Sequence, residues 1–372
     1  MPRVWDNPVY NWLLGFLSPW LSFVVMGVIV MVVILSALAG LVMVLQYLDR
    51  RLIGRFQVRF GPNRVGPSGL LQPIADTIKL LTKEDLRPRL ADPIIFTLAP
   101  LLGLLAAALA FAVIPFSKGG FLADLNVGIL YIFGVTSLGA IGIFMAGWSS
   151  NNKYSVIGAM RAVAQLISYE VPVVLSVLGV VLVTGSLSLV DIVEKRDLPL
   201  VLLQPLGFLI YLVAGTAEVG RPPFDLLEAE SEIIAGYHTE YNGMRWALLQ
   251  LGEYLAAFLV ACVVATLFLG GWKGPGPAIL GYVWFLLKAL AVYLLLLWVR
   301  ASLPRVRIDQ IMGFAWKFLL PLSLLNIFIT AAEALVWPDF PWLLFPVNIA
   351  IAVGLVALWS SLFQLRSKRV EA

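Results

Sequence analysis

Apolar residues along this chain gather into nine long runs: 21–48, 93–115, 128–148, 157–184, 199–217, 248–270, 279–300, 318–337 and 342–364. A spanning helix needs about 20 mainly apolar residues. The runs therefore predict an all-α integral membrane protein with about nine transmembrane helices joined by amphipathic helices and loops. The fifth run is short, and the acidic segment behind it is expected to break its end. No polar stretch between runs is long enough to build a core of its own, so residues 1–372 read as a single polytopic membrane domain. Near the start, Arg3 and Asp6 stand where a cleaved signal would carry a basic cluster, and the first run is long enough to span.

The polar positions between the runs set the expected orientation. Loop 49–92 holds nine Lys and Arg residues, loops 149–161 and 218–247 two each, loop 300–317 four and the tail three. The other face has Arg3, Lys118, Lys195, Arg196 and Lys273, and Lys288 falls within a run. Twenty against five places the long loops and the C-terminus in the cytoplasm, and an odd number of crossings puts the N-terminus on the far side. Segment 218–247 stands out, with six acids against Arg221 and Arg245.

Within the first long loop, the steps Gly61-Pro62 and Gly66-Pro67 predict a rigid bend. Leu70, Leu71, Ile74, Ile78 and Leu81 then recur at helical spacing, with Pro73 in the first turn. That pattern predicts an amphipathic helix lying in the interface. The plain reading is a basic loop gripping anionic lipid. Arg50, Arg51 and Arg59 are dense for anchoring alone, and Asp76 on the amphipathic helix suggests a polar docking face beside a membrane entrance.

Composition narrows the chemistry. At 60% hydrophobic residues and a mean hydropathy of +0.93, the chain exceeds the roughly 45–50% apolar content of soluble domains. One cysteine, Cys262, and one histidine, His238, are too few for an iron–sulfur cluster, a haem pair or a zinc site. There is no Walker loop and no dinucleotide fingerprint. If the protein serves electron transfer, the cofactors belong to partner chains.

Ionisable residues inside the runs carry the remaining signal. Glu170 lies near the middle of the fourth run and Glu253 about one turn into the sixth. Such a group at a helix centre costs about 2.5–3.5 kcal/mol on insertion scales, so it faces a hydrated path or a partner, or hydrogen-bonds to another helix as a neutral acid. In "DLLEAESEIIAGYHTEY", residues 225–241, Asp225, Glu228 and Glu232 would share one helical face, with Glu230 and Glu240 elsewhere around it. Closely spaced acids that cannot all ionise titrate as a group. The residues alone allow a proton relay, a structural acid cluster or a docking patch. Two whole-protein readings stay open on the same footing: a cofactor-free subunit of a redox-driven proton pump, and a proton-coupled solute transporter. The two halves show no internal similarity of the kind transporters carry.

Four motifs then carry a family resemblance. "GRFQVRFGPNRVGPSGLLQPIADTIKLLTKE", "GWSSNNKYSVIGAMRAVAQLISYEVP", "RPPFDLLEAESEIIAGYHTEY" and "RASLPRVRIDQIMGFAWKFLLPL" resemble the family of the quinone-site membrane subunit (letter H) of proton-translocating NADH:quinone oxidoreductase, respiratory complex I. The resemblance runs over about residues 45–325. The last span and basic tail are similar to the longer bacterial versions. The resemblance implies a translocase subunit of the bacterial inner (plasma) membrane that binds no cofactor itself, takes quinone as substrate and relies on FMN and iron–sulfur clusters of partner subunits. It implies contact with the peripheral-arm quinone-site subunits, including the one bearing the terminal iron–sulfur cluster, and with small membrane subunits leading to the antiporter-like ones. It further implies that Arg50, Arg59, Arg221, Phe224, Arg300 and Arg305 line or brace the quinone path. Asp76, Glu170, Glu218, Asp225, Glu228, Glu230, Glu232, Glu240 and Glu253 would form the acidic connection into the membrane. Membrane-bound hydrogenases carry a related subunit without quinone, but the arginine-rich first loop and the intact "GPNRVGPSGLLQP" favour the quinone enzyme.

Two departures bear on the site. The family's Glu-Arg-Lys at the end of the first helix is Asp49-Arg50-Arg51 here, which predicts only a shorter reach. Its Ala-Glu-Thr-Asn-Arg is Ala217-Glu218-Val219-Gly220-Arg221, which removes two polar side chains while keeping Glu218 and Arg221.

Overall fold

The structure is a computed structural model that describes residues 15, 18–195, 198–226, 233–277, 279–336, 346, 348–355 and 357. Among the described residues it is all-helical, the one β-bridge being the isolated pair Ser117 and Gly120. Seven helices are long and apolar enough to cross a membrane. They are α1 (Pro19–Phe56), α3 (Pro93–Ala110, extended by a 3-10 turn to Val113), α4 (Gly128–Ser149), α5 (Lys153–Thr184), α9 (Gly243–Leu267), α10 (Leu280–Ser302) and the stretch Ile308–Leu335. That last stretch joins α11 (Ile308–Phe314), a π-turn (Ala315–Leu319) and α12 (Leu320–Val336).

The expected fifth span, 199–217, is not one helix. It is split into α7 (Leu200–Leu203) and α8 (Pro205–Glu218), with the break at Gln204 and Pro205. Proline removes a backbone donor and disfavours a helical residue before it, so the chain restarts there with Pro205 in the first turn of α8. The short helix α6 (Leu189–Lys195) precedes it. Of the expected ninth span, 342–364, the described part is helical over 348–355.

Local sequence sets the ends. Asp92 caps α3, accepting from the amides of Ile94 and Ile95 at 3.1 and 3.4 Å, with Pro93 behind it. Asn152 accepts from the Tyr154 amide to open α5, which runs through Pro172 and ends at Gly185, φ +64°. The amphipathic helix is present as α2 (Gln72–Thr82), and Leu71, Ile74, Ile78 and Leu81 stay exposed, as an interfacial face requires. The preceding bend needs glycine: Gly69 has φ +78°, and a Cβ there would stand 2.1 Å from the Pro62 carbonyl oxygen.

α9 is the central post. Of its most apolar stretch 67% is buried, against 11% for α1 on the outside. It packs against α3 and α10, and α3 packs against α4. Lipid gives no hydrophobic drive for helices to associate, so close backbone approach matters. A Cβ on Gly142 of α4 would reach within 3.1 Å of the Gly103 nitrogen on α3, and one on Gly252 of α9 within 3.4 Å of the Gly103 carbonyl carbon.

Candidate functional site

α1, α8 and α10 finish, and α9 begins, at the same end of the bundle. Charged residues cluster there. Asp49, near the C-terminal end of α1, is only 3% exposed. Arg300, near the end of α10, donates from one Nη to both its carboxylate oxygens at 3.1 and 2.9 Å, and the Tyr254 hydroxyl on α9 donates to Oδ2 at 2.9 Å. The other face of Tyr254 carries the Arg221 guanidinium, 4.4 Å from the ring centroid. Arg221 Nε in turn lies 3.5 Å from Oε1 of Glu253. The result is a continuous chain, Arg300, Asp49, Tyr254, Arg221, Glu253, assembled from α10, α1, α9 and the turn that follows α8.

Burial opposes the charge on Arg221, but Glu253, Tyr254 and Asp49 around it outweigh that, so its pKa stands above the usual guanidinium range and the charge is permanent. Nε and Nη2 of Arg221 make no hydrogen bond among the described residues. The backbone leading into Arg221 is fixed by Gly220, whose φ of +71° places it in the left-handed region. Glycine and asparagine are the residues that adopt this conformation readily, so the departure at this position keeps the turn although it loses a side chain.

The inner end of this chain opens into a cavity of about 130 Å³ between α3, α4, α5, α8 and α9. Glu218 and Glu253 both line it, together with Thr136, Leu166 and Tyr237. Glu170 lies on α5 one turn beyond Leu166 and is half-buried. Three of the expected acids, Glu218, Glu253 and Glu170, thus sit at or beside one apolar cavity.

A second group lies behind it. Asp225 is 8% exposed and accepts from Arg305 at 2.7 Å. Phe224 sits between Tyr169 and Phe314, with centroids at 5.7 and 6.3 Å. The segment is tied down by Gln165, whose amide donates to the carbonyls of Ala217 and Phe224, both at 2.7 Å, and by the Val306 amide on the Pro223 carbonyl at 3.0 Å.

Other expected site residues stand apart. Asp76 on α2 pairs with Arg50 at 2.5 Å and with Lys79 at 3.7 Å, which ties the amphipathic helix to the end of α1. Arg59 is exposed and donates to Gln57 at 2.7 Å. Glu240 accepts from Asn152 at 2.7 Å and lines an open surface groove with Arg89 and Lys153, away from the cavity that holds Glu218 and Glu253. Beside it, Tyr241 stacks on Phe96 at 4.1 Å, and burial raises its phenol pKa to about 12. Glu228, Glu230 and Glu232 lie outside the described residues. Asp225 itself is in non-helical chain.

Two members of the charged chain are absent from the expected site residues. Asp49 reads in the sequence only as a shortened glutamate. Its signal is an acid just after the first apolar run, directly before two arginines. Tyr254 gives no sequence signal beyond standing next to Glu253. Among the described residues no three His, Cys, Asp or Glu side chains come together as a metal site.

A family profile described as NADH dehydrogenase matches residues 28–331. The chain belongs to this family. It is 58% identical over 331 residues to the NADH-quinone oxidoreductase subunit lettered H in Dehalococcoides mccartyi strain CBDB1, covering 89% of this chain and 93% of that one. It is also similar to the subunits of the same name from Geobacillus kaustophilus, at 52% identity over 76% of this chain and 86% of the relative, and from Brevibacillus brevis, at 49% over 82% and 92%. Membership of this family accounts for the multi-pass helical fold and for the four motifs, all of which fall within or overlap the matched region.

Proposed function

We propose that this chain is the membrane subunit of a proton-translocating NADH:quinone oxidoreductase that shapes the quinone chamber and transmits its charge change to carboxylates in the membrane. The family, and the names of its relatives, support membership in such a complex. The observation that carries the finer reading is the continuous chain from Arg300 through Asp49, Tyr254 and Arg221 to Glu253, ending at the cavity shared with Glu218. Reduction of a quinone takes up two electrons and two protons to give a quinol. Those protons must come from somewhere near the ring, and their removal leaves a negative charge that neighbouring groups feel.

In this reading Arg300 and Arg305 face the quinone side, each held by a buried carboxylate, Asp49 and Asp225. Arg50 and Asp76 fix the amphipathic helix at the lipid entrance, with Arg59 exposed beside it as a docking contact for the peripheral arm. Arg221, held charged, lies between that side and the two glutamates of the cavity. When negative charge arises near Arg300 and Asp49, the balance around Arg221 shifts, and Glu253, Glu218 and Glu170 respond by taking up or releasing protons. Glu228, Glu230 and Glu232 would extend the same carboxylate set toward neighbouring membrane subunits. In this reading the charged end faces the cytoplasm, which the Lys and Arg distribution supports, and the membrane is the bacterial inner membrane that the family resemblance implies.

The test uses the complete complex in sealed vesicles. Glu218→Gln and Glu253→Gln should leave electron transfer from NADH to a hydrophilic acceptor intact, while quinone reduction and the proton-to-electron ratio both fall. Parent values for quinone turnover and for that ratio in both variants would overturn the carboxylate role. Unchanged quinone affinity in Arg300→Ala would remove it from the quinone path.

A further inference from the structure

A second polar cluster lies at the opposite end of α8, where α7 and α8 break. Ser323, Asn326, Thr330 and Glu333 on α12 recur at helical spacing, so a single polar stripe runs along an otherwise apolar membrane helix. Asn326, Thr330 and Glu333 line a small cavity together with Gln204 at the break and Asn348 of the last described helix. Gln204, Asn326, Thr330 and Asn348 are all more than nine-tenths buried.

The hydrogen bonds fix which atoms are committed. Gln204, which lines the cavity, spends its amide nitrogen on the Gly179 carbonyl at 2.9 Å and on Thr330 at 3.3 Å, which leaves its carbonyl oxygen as the uncommitted end. Asn348 spends its amide nitrogen on the Leu203 carbonyl at 2.5 Å and on Glu333 Oε2 at 3.1 Å. Three buried atoms remain without a hydrogen-bond partner among the described residues: Gln204 Oε1, Asn326 Nδ2 and Glu333 Oε1. Two are acceptors and one is a donor. Glycine makes room for them, since a Cβ on Gly179 or Gly207 would come within 3.3 Å of Asn326 Nδ2.

The cavity measures about 10 Å³, the scale of one water molecule, and a buried water makes about three hydrogen bonds. We propose that this cavity binds one water molecule, which donates to Gln204 Oε1 and Glu333 Oε1 and accepts from Asn326 Nδ2. The site gives the one acid of the α12 stripe an exchangeable proton partner. It lies about 20 Å along α8 from Glu218, the length of its 14 residues at 1.5 Å each, and so is separate from the arginine and carboxylate network. The donor nitrogen of Asn326 argues for water over a bare cation, which would need oxygen on every side.

The test is a map of the assembled complex at a resolution that reveals bound waters. A single peak within hydrogen-bond distance of Gln204, Asn326 and Glu333 is expected. Asn326→Leu should abolish it, because the donor is lost and the space is filled. Glu333→Gln should keep it: the amide oxygen stays on Asn348, and the amide nitrogen now donates to the water, which can accept a second bond. No peak in the parent complex would overturn the site without recourse to any variant. A peak that survives Asn326→Leu, vanishes in Glu333→Gln or grows with sodium concentration would overturn it in favour of a cation.

Discussion

Lys288 and Arg221 are both cations held among apolar helices, and they are treated in opposite ways. Lys288, inside α10, donates to the carbonyls of Leu269, Gly271 and Lys273 at 2.8, 2.9 and 2.7 Å. An ammonium has three donors, so this one is saturated. It ties down the loop just past the C-terminal end of α9, where the negative end of the helix dipole favours a cation. Arg221, packed on the N-terminal half of the same α9, is placed by a ring face and by Glu253 at 3.5 Å, with two nitrogens left without hydrogen bonds among the described residues. A saturated cation is a clasp with nothing left to give. An unsaturated one, beside a cavity lined by acids, can answer a change in its surroundings.

The comparison breaks first at Arg300. Removing it strands Asp49 as a buried, unpaired charge, which costs about 3–5 kcal/mol when one partner of a buried pair is lost. Arg300→Ala should therefore lower both the thermal stability of the assembled complex and quinone turnover. Adding Asp49→Asn should restore much of the stability but not the turnover. Melting curves and quinone-reductase rates on the single and double variants measure the two effects separately. Recovery of both in the double variant would reduce the pair to a clasp like Lys288.

At the other end, Lys288→Met removes three hydrogen bonds and leaves carbonyls behind, a loss of about 1–3 kcal/mol. The melting temperature should fall while quinone turnover per assembled complex stays at the parent value. A change in quinone KM would show that the two ends are coupled through α9.

How much of this is legible in the sequence follows from the kind of signal each part leaves. Long apolar runs and the interfacial pattern of Leu71, Ile74, Ile78 and Leu81 are periodic, so α2 and the long spans can be read directly. The run 199–217 misleads, because hydropathy ignores the missing donor of Pro205, which splits it. Glu170, Glu218 and Glu253 are visible as charges out of place in apolar sequence, and the structure brings Glu218 and Glu253 to one cavity. Asp49 is hidden by its basic neighbours, since a sequence does not say which arginine across the fold will meet it. Glu240 groups with the other acids only by closeness in sequence. The 3-10 turn Gly236–His238, packed on Gly158 of α5, carries it to Asn152 instead. Glu333 escapes notice in the sequence, lying at the edge of its run.

Arg221→Lys probes the stacked cation more gently. Lysine keeps the charge but not the planar face, so the loss is a part of the cation–π contact with Tyr254, a contact worth about 0.5–2 kcal/mol in all. Assembly should be kept and quinone turnover should fall a few-fold, with the larger change in kcat. An unchanged kcat would mean that only the charge matters, and that Tyr254 acts solely through its hydroxyl on Asp49.

The smallest effect belongs to Glu240. It shares a segment with the acids of 225–232, yet its carboxylate accepts from Asn152 at 2.7 Å beside an open groove that also holds Arg89 and Lys153. A carboxylate at such a surface contributes about 0–1 kcal/mol, and among the described residues no hydrogen bond or ion pair links it to the cavity of Glu218 and Glu253. Glu240→Gln keeps an oxygen for Asn152 and removes only the charge. Quinone turnover and the proton-to-electron ratio should both match the parent, while Glu253→Gln in the same vesicles should lower quinone turnover about tenfold, or 1.4 kcal/mol in the barrier. A fall in the ratio with Glu240→Gln would mean that protons cross from the groove to the cavity. The useful boundary of the site would then be the whole acidic segment and not the chain that ends at Glu253.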